Sequence, residues 1–301
     1  MKEGVVAVIV HWQDVDDTRG CVESLAAAPD TDVVVVDNAS REPLGDTFAG
    51  GPITVLRSPE NLGYAGGANL GIRAALARRP AAILLLNNDV RVRPGATQAA
   101  LAVLRAEPRI AVVGPKVLAR EDPSRLWLAW GEITYRQSLV ALCGAGRPDG
   151  PSFAQQRDVE WVAGCAMWFS AAALEGVGLF DETFFAYHEE VDWCTRARAA
   201  GWRVVYCPDA VVTHTGRGGA GSAASVRIRK YFAARNSILF ARKHASASER
   251  AKLACFLAAT LPLQLLWHWP RGTADQVWLK IRGIRDALGD RRPPFEALGL
   301  R

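Results

Sequence analysis

Three apolar runs rich in branched residues, at 5–10, 33–36 and 83–86, constrain this chain more than any other feature. None alternates with polar residues. Each therefore reads as a strand buried on both faces, the pattern of a parallel sheet covered by helices. Helical spacing at 18–28 and 66–79 separates them, with a short strand expected at 53–56. Strands alternating with helices of these lengths predict a Rossmann-like α/β sheet. Further on, 95–106 reads as a helix introduced by Pro94, 110–113 as a fourth strand, and 161–169 as a strand. A short helix at 171–176 follows, then two short strands at 204–206 and 210–212, whereas 118–150 reads as irregular.

In such sheets, ligands lie beyond the carboxyl ends of the strands. His11-Trp12, Asp37-Asn38 and Asn87-Asn88-Asp89 directly follow the three runs. Rings of this kind sandwich a base, amides and carboxylates bond base and ribose edges, and Asp89 can hold a metal. Each group alone also suits a turn or a helix cap. Three in register favour a nucleotide-shaped site.

The stretch NLGYAGGANLG at 61–71 carries Gly63, Gly66, Gly67 and Gly71. Glycines ahead of a helix let backbone N–H groups approach a phosphate; a tight strand–helix turn uses them equally well. It lacks the GK[ST] of a Walker A loop, and no GxGxxG follows the first strand. At 180–202, FDETFFAYHEEVDWCTRARAAGW packs Glu189, Glu190 and Asp192 into four positions. Carboxylates so close repel and separate their pKa values, as a general base or a cation site requires. They equally suit a helix start, with Asp192 pairing with Arg196 one turn later. His214, at a later strand end, is a candidate metal ligand, because imidazole suits Mn²⁺ better than Mg²⁺.

These blocks resemble the nucleotide-sugar glycosyltransferases of family 2, with the GT-A fold, and among them the rhamnosyltransferase-like branch. VVVVDNAS at 33–40, NLGYAGGANLGI at 61–72, LLLNNDV at 84–90 and GLFDETFFAYHEEVDWCTRARAAGW at 178–202 carry the resemblance. VVTHTG at 211–216 and RKYFAARN at 229–236 extend it. It implies a mostly parallel central sheet flanked by helices. Residues 1–222 would form the catalytic domain, with a nucleotide-sugar half over 1–115 and an acceptor half over 116–222. Residues 223–301 would form a C-terminal helical extension.

The resemblance also implies roles. Asp37, Trp12 and the backbone near His11 would hold the nucleoside, and Asn61, Gly63, Gly67 and Asn87 would line its pocket. Asn88 and Asp89 would occupy the DxD position, with Asp89 and His214 binding Mg²⁺ or Mn²⁺. Glu190 would be the catalytic base, with Glu189 a rival, and Gly164, Asp192 and Trp193 would shape the acceptor site. Three departures stand out. The first strand ends in His-Trp-Gln where the family often has Tyr-Asn or Trp-Asn, which bears on the base-stacking residue. The DxD position reads Asn-Asn-Asp, and the base is Glu where the family usually has Asp; one extra methylene moves a carboxylate by about 1 Å, which matters for near-attack geometry. The implied reaction is a single displacement with inversion. A carboxylate takes the acceptor proton, and the metal neutralises the departing nucleoside diphosphate. The paired acid and base of a glycoside hydrolase does not fit.

Charge adds a partner class. Residues 1–209 hold 20 Lys+Arg against 26 Asp+Glu, whereas 210–301 hold 16 against 5. The amphipathic runs at 226–242 and 277–288 and the apolar run at 253–269, with Trp267 and Trp269, suit a bilayer surface or a lipid-pyrophosphate acceptor. Helices that cover the sheet or form a homodimer interface would look the same. No nucleic-acid docking motif accompanies the basic residues. The six cysteines have no CxxC spacing, so neither a zinc ribbon nor a disulfide framework is indicated. With no signal peptide at the start and no run of about 18 charge-free apolar residues, the expected location is cytoplasmic, peripheral on the inner face of the membrane. The partners expected are a nucleotide-sugar donor and a glycan or lipid-linked acceptor. Two other readings stay open: a sugar nucleotidyltransferase, for which the first strand lacks a Gly-rich loop with a basic finger, and a non-catalytic sugar-nucleotide or glycan-binding subunit.

Overall fold

The computed structural model describes residues 4–300 apart from 27, 29–30, 46, 49–52, 137–138 and 216–222. The Gly-rich loop at 216–221 therefore lies outside the described residues. In chain order the elements are β1 (Val5–His11), α1 (Val15–Ser24), β2 (Thr31–Asp37), β3 (Ile53–Arg57), α2 (Gly63–Leu76), β4 (Ala82–Asn87), β5 (Val90–Val92) and α3 (Ala96–Ala106). Then follow β6 (Ile110–Ala119), β7 (Leu126–Leu128), β8 (Trp130–Ile133), β9 (Val140–Cys143), β10 (Arg157–Asp158), β11 (Ala166–Ser170), α4 (Ala171–Val177) and α5 (Glu189–Ala199). The chain closes with β12 (Arg203–His214), α6 (Ala223–His244), α7 (Ala247–His268) and α8 (Ala274–Leu288).

The main sheet has the order β10-β12-β6-β11-β4-β1-β2-β3. The β3-β2-β1-β4 half is parallel throughout, and its strands are the apolar runs of the sequence. β1 lies between β2 and β4, so the direction of winding reverses there. A crevice opens at the carboxyl ends on either side of such a strand. β11 runs antiparallel between β4 and β6, making the sheet mixed but mostly parallel.

Three expectations change in detail. The two strands expected at 204–206 and 210–212 are one strand, β12, whose register against β6 slips between Cys207 and Val211. Pro208 lies in that slip, where a residue without an N–H is tolerated. The strand expected at 161–169 starts only at Ala166. The stretch expected to be irregular, 118–150, contains the end of β6 and the short strands β7, β8 and β9, too brief to show a period. Gly131 makes this stretch fit: a Cβ there would lie 1.7 Å from the Trp161 ring.

α2 lies directly on the sheet because a Cβ at Gly71 would sit 2.3 Å from Val8 Cγ1. α6 is part of this body too. Its Phe240 and Ala241 join the main core, while Tyr231 and Phe232 pack with Phe185, Leu279 and Leu300 in a second cluster. α8 crosses α6 so closely that a Cβ at Gly283 would meet the Tyr231 carbonyl at 2.4 Å. Among the described residues, no helix is long and apolar enough to cross a membrane.

Candidate active site

One cleft of about 1400 Å³ lies beyond the carboxyl ends of β1 and β4 and gathers most of the expected residues. Trp12, Asn61, Gly63, Asn87, Asn88, Asp89, Gly164, Glu189, Glu190 and His214 line it. His11, Asp37, Gly67, Asp192 and Trp193 do not.

Strand pairing builds the first corner. β5 runs antiparallel to the end of β12, with Val90 opposite His214. Asp89, just before β5, is thereby brought to His214 at the end of β12. Asp89 Oδ1 and His214 Nε2 are 2.9 Å apart. The approach lacks hydrogen-bond geometry, and both atoms, with His214 Nδ1, are buried without a hydrogen-bond partner. Thr215 Oγ1 donates to Asp89 Oδ2 at 2.7 Å, and the Arg120 guanidinium donates to the Asp89 carbonyl. Burial works against ionisation of Asp89, but His214, Thr215 and Arg120 hold its carboxyl below the usual range. Trp127 meets the His214 ring edge-on at 4.4 Å.

A divalent metal fits this corner. One carboxylate oxygen and one imidazole, unsatisfied and adjacent, form a mixed O/N pair. No group of three or more His, Cys, Asp and Glu able to hold a metal occurs among the described residues, so substrate oxygens would supply the remaining ligands.

Asn88 serves the frame behind this corner. Its Nδ2 donates to Thr18 Oγ1 at 3.1 Å and to the Asp14 carbonyl at 3.2 Å. His11 Nδ1 meets the same Thr18 hydroxyl at 2.5 Å. The His11 ring is thus buried beneath α1 and does not face the cleft; Trp12 faces it instead. Asp37 accepts from the Ser40 N–H at 2.9 Å and from the Leu44 N–H at 3.3 Å, and it pairs with Arg57. Burial opposes its charge, but these donors keep its carboxyl below the usual range. Asp37 therefore shapes the loop after β2, while its neighbour Asn38 lines the cleft.

The glycine loop divides in two. Gly63 has φ +71° and opens α2, with its α-carbon so close to Phe185 that a Cβ would sit 2.4 Å from the Phe185 carbonyl. A left-handed backbone at such an approach requires glycine. Gly67 instead packs toward Val10 and Asn38, where a Cβ would meet Val10 Cγ1 at 3.1 Å.

α5 carries the second corner. Glu189 and Glu190 begin this helix, and each leaves its Oε2 buried without a partner. Burial pushes both carboxyls up, Glu190 to about 7, and the charge of Glu190 raises Glu189 further. Glu189 is the more deeply buried. Glu190 lies along Gly164, where a Cβ would stand 3.3 Å from Glu190 Cγ. Tyr64, from the glycine loop, donates to the Gly164 carbonyl at 2.8 Å and so braces that wall.

The segment before α5 is held in an unusual shape. Phe185, Tyr187 and His188 have φ of 63°, 68° and 71°, costing about 1–3 kcal/mol each for residues with a side chain. α6 offsets this. Asn236 Nδ2 lies within donating distance of the carbonyls of Phe184 (2.8 Å), Ala186 (2.7 Å) and Tyr187 (2.7 Å). Arg235 Nη1 donates to the Thr183 carbonyl at 2.9 Å and to Asn236 Oδ1 at 3.0 Å.

Asp192 and Trp193, expected to shape the acceptor site, do not line the cleft; both make structural contacts. Asp192 is fully buried and pairs with Arg196 (2.9 Å), Lys243 (2.8 Å) and His244 (2.7 Å). The Arg196 pair is the brace anticipated from the sequence; Lys243 and His244 extend it to α6. Burial opposes the charge, but these three partners hold the carboxyl at about 2. Trp193 is buried in the core, and its Nε1 donates to the Gly178 carbonyl at 2.7 Å.

Sequence reasoning passed over Tyr64, Arg120, Trp127, Tyr187 and Asn236 as site residues. Tyr64, Tyr187 and Asn236 lie inside quoted blocks, so a signal existed. Nothing local distinguishes Arg120 or Trp127.

A switch-point cleft with a carboxylate–imidazole pair and a second carboxylate pair on a mostly parallel sheet defines an α/β enzyme of the GT-A type. The chain belongs to the family 2 glycosyltransferases: the family model described as "Glycosyltransferase like family 2" matches residues 3–234. Among curated relatives, the low-salt glycan biosynthesis hexosyltransferase Agl10 of Haloferax volcanii is 26% identical over 69% of this chain and 66% of its own length. The N-acetylglucosaminyl-diphospho-decaprenol L-rhamnosyltransferase of Mycobacterium tuberculosis is 30% identical over 64% of this chain and 68% of its own. The matches thus span about two thirds of these relatives. Among solved structures, the mannosyltransferase PcManGT of Pyrobaculum calidifontis in complex with GDP-Man and Mn²⁺ superposes with a TM-score of 0.57 at 16% identity, over 96% of this chain and 88% of that one. GalNAc-T7, solved with UDP, GalNAc and Mn²⁺, also gives 0.57, at 15% identity over 78% of this chain and 50% of that one.

Proposed function

We propose that this glycosyltransferase is inverting and metal-dependent. It moves a sugar, rhamnose first among the candidates, from a dTDP- or UDP-sugar to a hydroxyl of a glycan or lipid-linked glycan in cell-envelope or polysaccharide synthesis. The observation that carries this reading is the presence of both corners in one cleft: unsatisfied Asp89 and His214, and unsatisfied Glu189 and Glu190. Solved GT-A neighbours with bound nucleotide or nucleotide-sugar and Mn²⁺ support it.

In this reading Trp12, Asn38 and Asn61 hold the nucleoside, and Asp89 and His214 hold Mg²⁺ or Mn²⁺. The ion, when bound, neutralises charge on the departing diphosphate. Glu190 takes the proton from the acceptor hydroxyl as that oxygen attacks the anomeric carbon. A carboxyl raised toward neutrality by burial is a stronger base once ionised, which suits this task. Glu189, deeper and further raised, stays protonated beside it. The exposed Leu266, Trp267 and Trp269 at the end of α7 support contact with a bilayer surface, as rings of that kind favour the interface.

A donor panel tests the reading. UDP-, dTDP- and GDP-sugars are scored by thermal shift with Mn²⁺, Mg²⁺ or EDTA. A metal-dependent shift with a pyrimidine nucleotide is expected, and no shift with any of them would overturn the proposal. Binding without turnover would favour a binding subunit.

A further inference from the structure

The C-terminal helices carry many basic residues, and some of them meet carboxylates. Arg227 faces Asp275 at 3.5 Å, Arg242 meets Asp290 at 2.8 Å, and Lys243 meets Asp181 and Asp192. Among those without a carboxylate partner in the described residues, Arg229 and Lys230 on α6 and Lys280 on α8 line the cleft together. Lys280 Nζ donates to Gln264 Oε1 at 2.6 Å, and the Gln264 amide nitrogen is buried without a partner in the same cleft. Burial first, then a neighbouring cation, lowers both lysines; the neighbour is Arg229 for Lys230 and Lys230 for Lys280, which falls to about 8. Gathering like charges in a recess is unfavourable unless an anion completes the set.

Arg229 lies toward the glutamates: Tyr187, Glu189, Glu190 and Arg229 line the same cleft, and Arg229 and both glutamates act on the Tyr187 hydroxyl. Leu257 and Leu261 of α7 and Ile284 of α8 line the cleft beside them, so the wall next to the charges is apolar.

We propose that Arg229, Lys230, Lys280 and Gln264 form an anion site for a phosphate or diphosphate on the acceptor, and that Leu257, Leu261 and Ile284 receive the hydrocarbon chain esterified to it. Resting on the transferase reading, this narrows the acceptor to an anionic amphiphile. It also explains why an enzyme with an acidic body keeps unpaired cations at this end: they hold the acceptor's phosphate while the sugar hydroxyl beyond it meets Glu190.

The test is equilibrium binding of farnesyl diphosphate, inorganic pyrophosphate and farnesol to the full chain, with and without saturating UDP and Mn²⁺. Farnesyl diphosphate should bind more tightly than either fragment and should not be displaced by UDP. Lys230→Gln with Lys280→Gln should weaken it at least tenfold while UDP binding stays as in wild type, and Asp89→Asn should do the reverse. Lys280→Arg should keep most of the affinity. Because Lys280→Gln removes a repelled charge, its melting temperature should match or exceed wild type, so a binding loss is not unfolding. Displacement by UDP, or a parallel loss of UDP binding in the double variant, would assign the cations to the donor and overturn the proposal. So would unchanged farnesyl diphosphate binding in that variant, or pyrophosphate binding equally well. A wild-type chain that binds UDP with Mn²⁺ but not farnesyl diphosphate sinks this inference alone. One that binds farnesyl diphosphate but no nucleotide supports the anion site and sinks the donor reading.

Discussion

His214 Nε2 lies 2.9 Å from Asp89 Oδ1 because β5 pairs antiparallel with the end of β12. Neither atom has a hydrogen-bond partner within the protein, so both can serve as ligands to a metal. Asp89→Ala or His214→Ala should abolish the Mn²⁺-dependent part of a nucleotide-induced thermal shift. Turnover should fall by about 10²-fold or more, the scale of removing a group that stabilises transition-state charge. Wild-type turnover and shift in both variants would refute the metal corner.

Glu190 sits with an unpartnered Oε2 beside Gly164. Glu190→Gln should cut kcat by about 10²–10⁴-fold, the usual contribution of a general base, with donor affinity unchanged. Because burial places its carboxyl at about 7, wild-type rate should rise with pH through that region. Stability runs the other way. A carboxyl raised above its ordinary 4.5 favours the fold fully below that pH, and the benefit is lost as pH rises through about 7. At pH 8 the Gln variant should therefore melt higher than wild type, and at pH 4 the two should match. Full turnover in Glu190→Gln with loss in Glu189→Gln would transfer the base to Glu189.

Asn236 governs the backbone ahead of α5. Asn236→Ala leaves the buried Phe184 carbonyl and the part-buried Ala186 and Tyr187 carbonyls without their donor, at about 1–3 kcal/mol for a buried group left unsatisfied. Freed, Phe185, Tyr187 and His188 would relax from their left-handed conformations and shift Glu189 and Glu190. The expected outcome is a lower melting temperature together with a kcat loss at unchanged donor Kd. Asn236→Asp, which puts charge against those carbonyls, should be worse. A variant of unchanged kcat would show that the clamp serves folding only.

Asp192 is the test of brace against acceptor contact. Asp192→Asn strands Arg196, Lys243 and His244 around a neutral amide, and breaking a buried pair costs about 3–5 kcal/mol. Denaturant unfolding should show that loss, while the KM for acceptor stays near wild type at temperatures where the variant is folded. With the folded carboxyl held at about 2 against an ordinary 3.8, its contribution is present above 3.8 and disappears as pH falls toward 2. The variant should lack this acid-labile component. A selective rise in acceptor KM would restore the role first expected from the sequence.

The sequence by itself determined the parallel half of the sheet, because a strand buried on both faces must be apolar throughout, and 5–10, 33–36 and 83–86 are. It also placed Trp12, Asn87, Asp89 and His214 at strand ends, since a residue directly after such a run marks where the strand leaves the core, and Glu190 at a helix start, where carboxylates suit the positive end. Partners and facing were decided only by the tertiary structure. Asp37 and Asn38 are equally polar, yet Asp37 turns to Ser40, Leu44 and Arg57 while Asn38 meets the cleft. Glu190 and Asp192 stand two positions apart on one helix, so they point to different sides: one into the cleft, the other into Arg196, Lys243 and His244. Asp89 meets His214, Asn236 meets Tyr187, and Lys280 approaches Lys230 only through long-range pairing and helix crossing. Local periodicity reports how deeply a residue is buried; it carries no record of which distant residue will be buried against it.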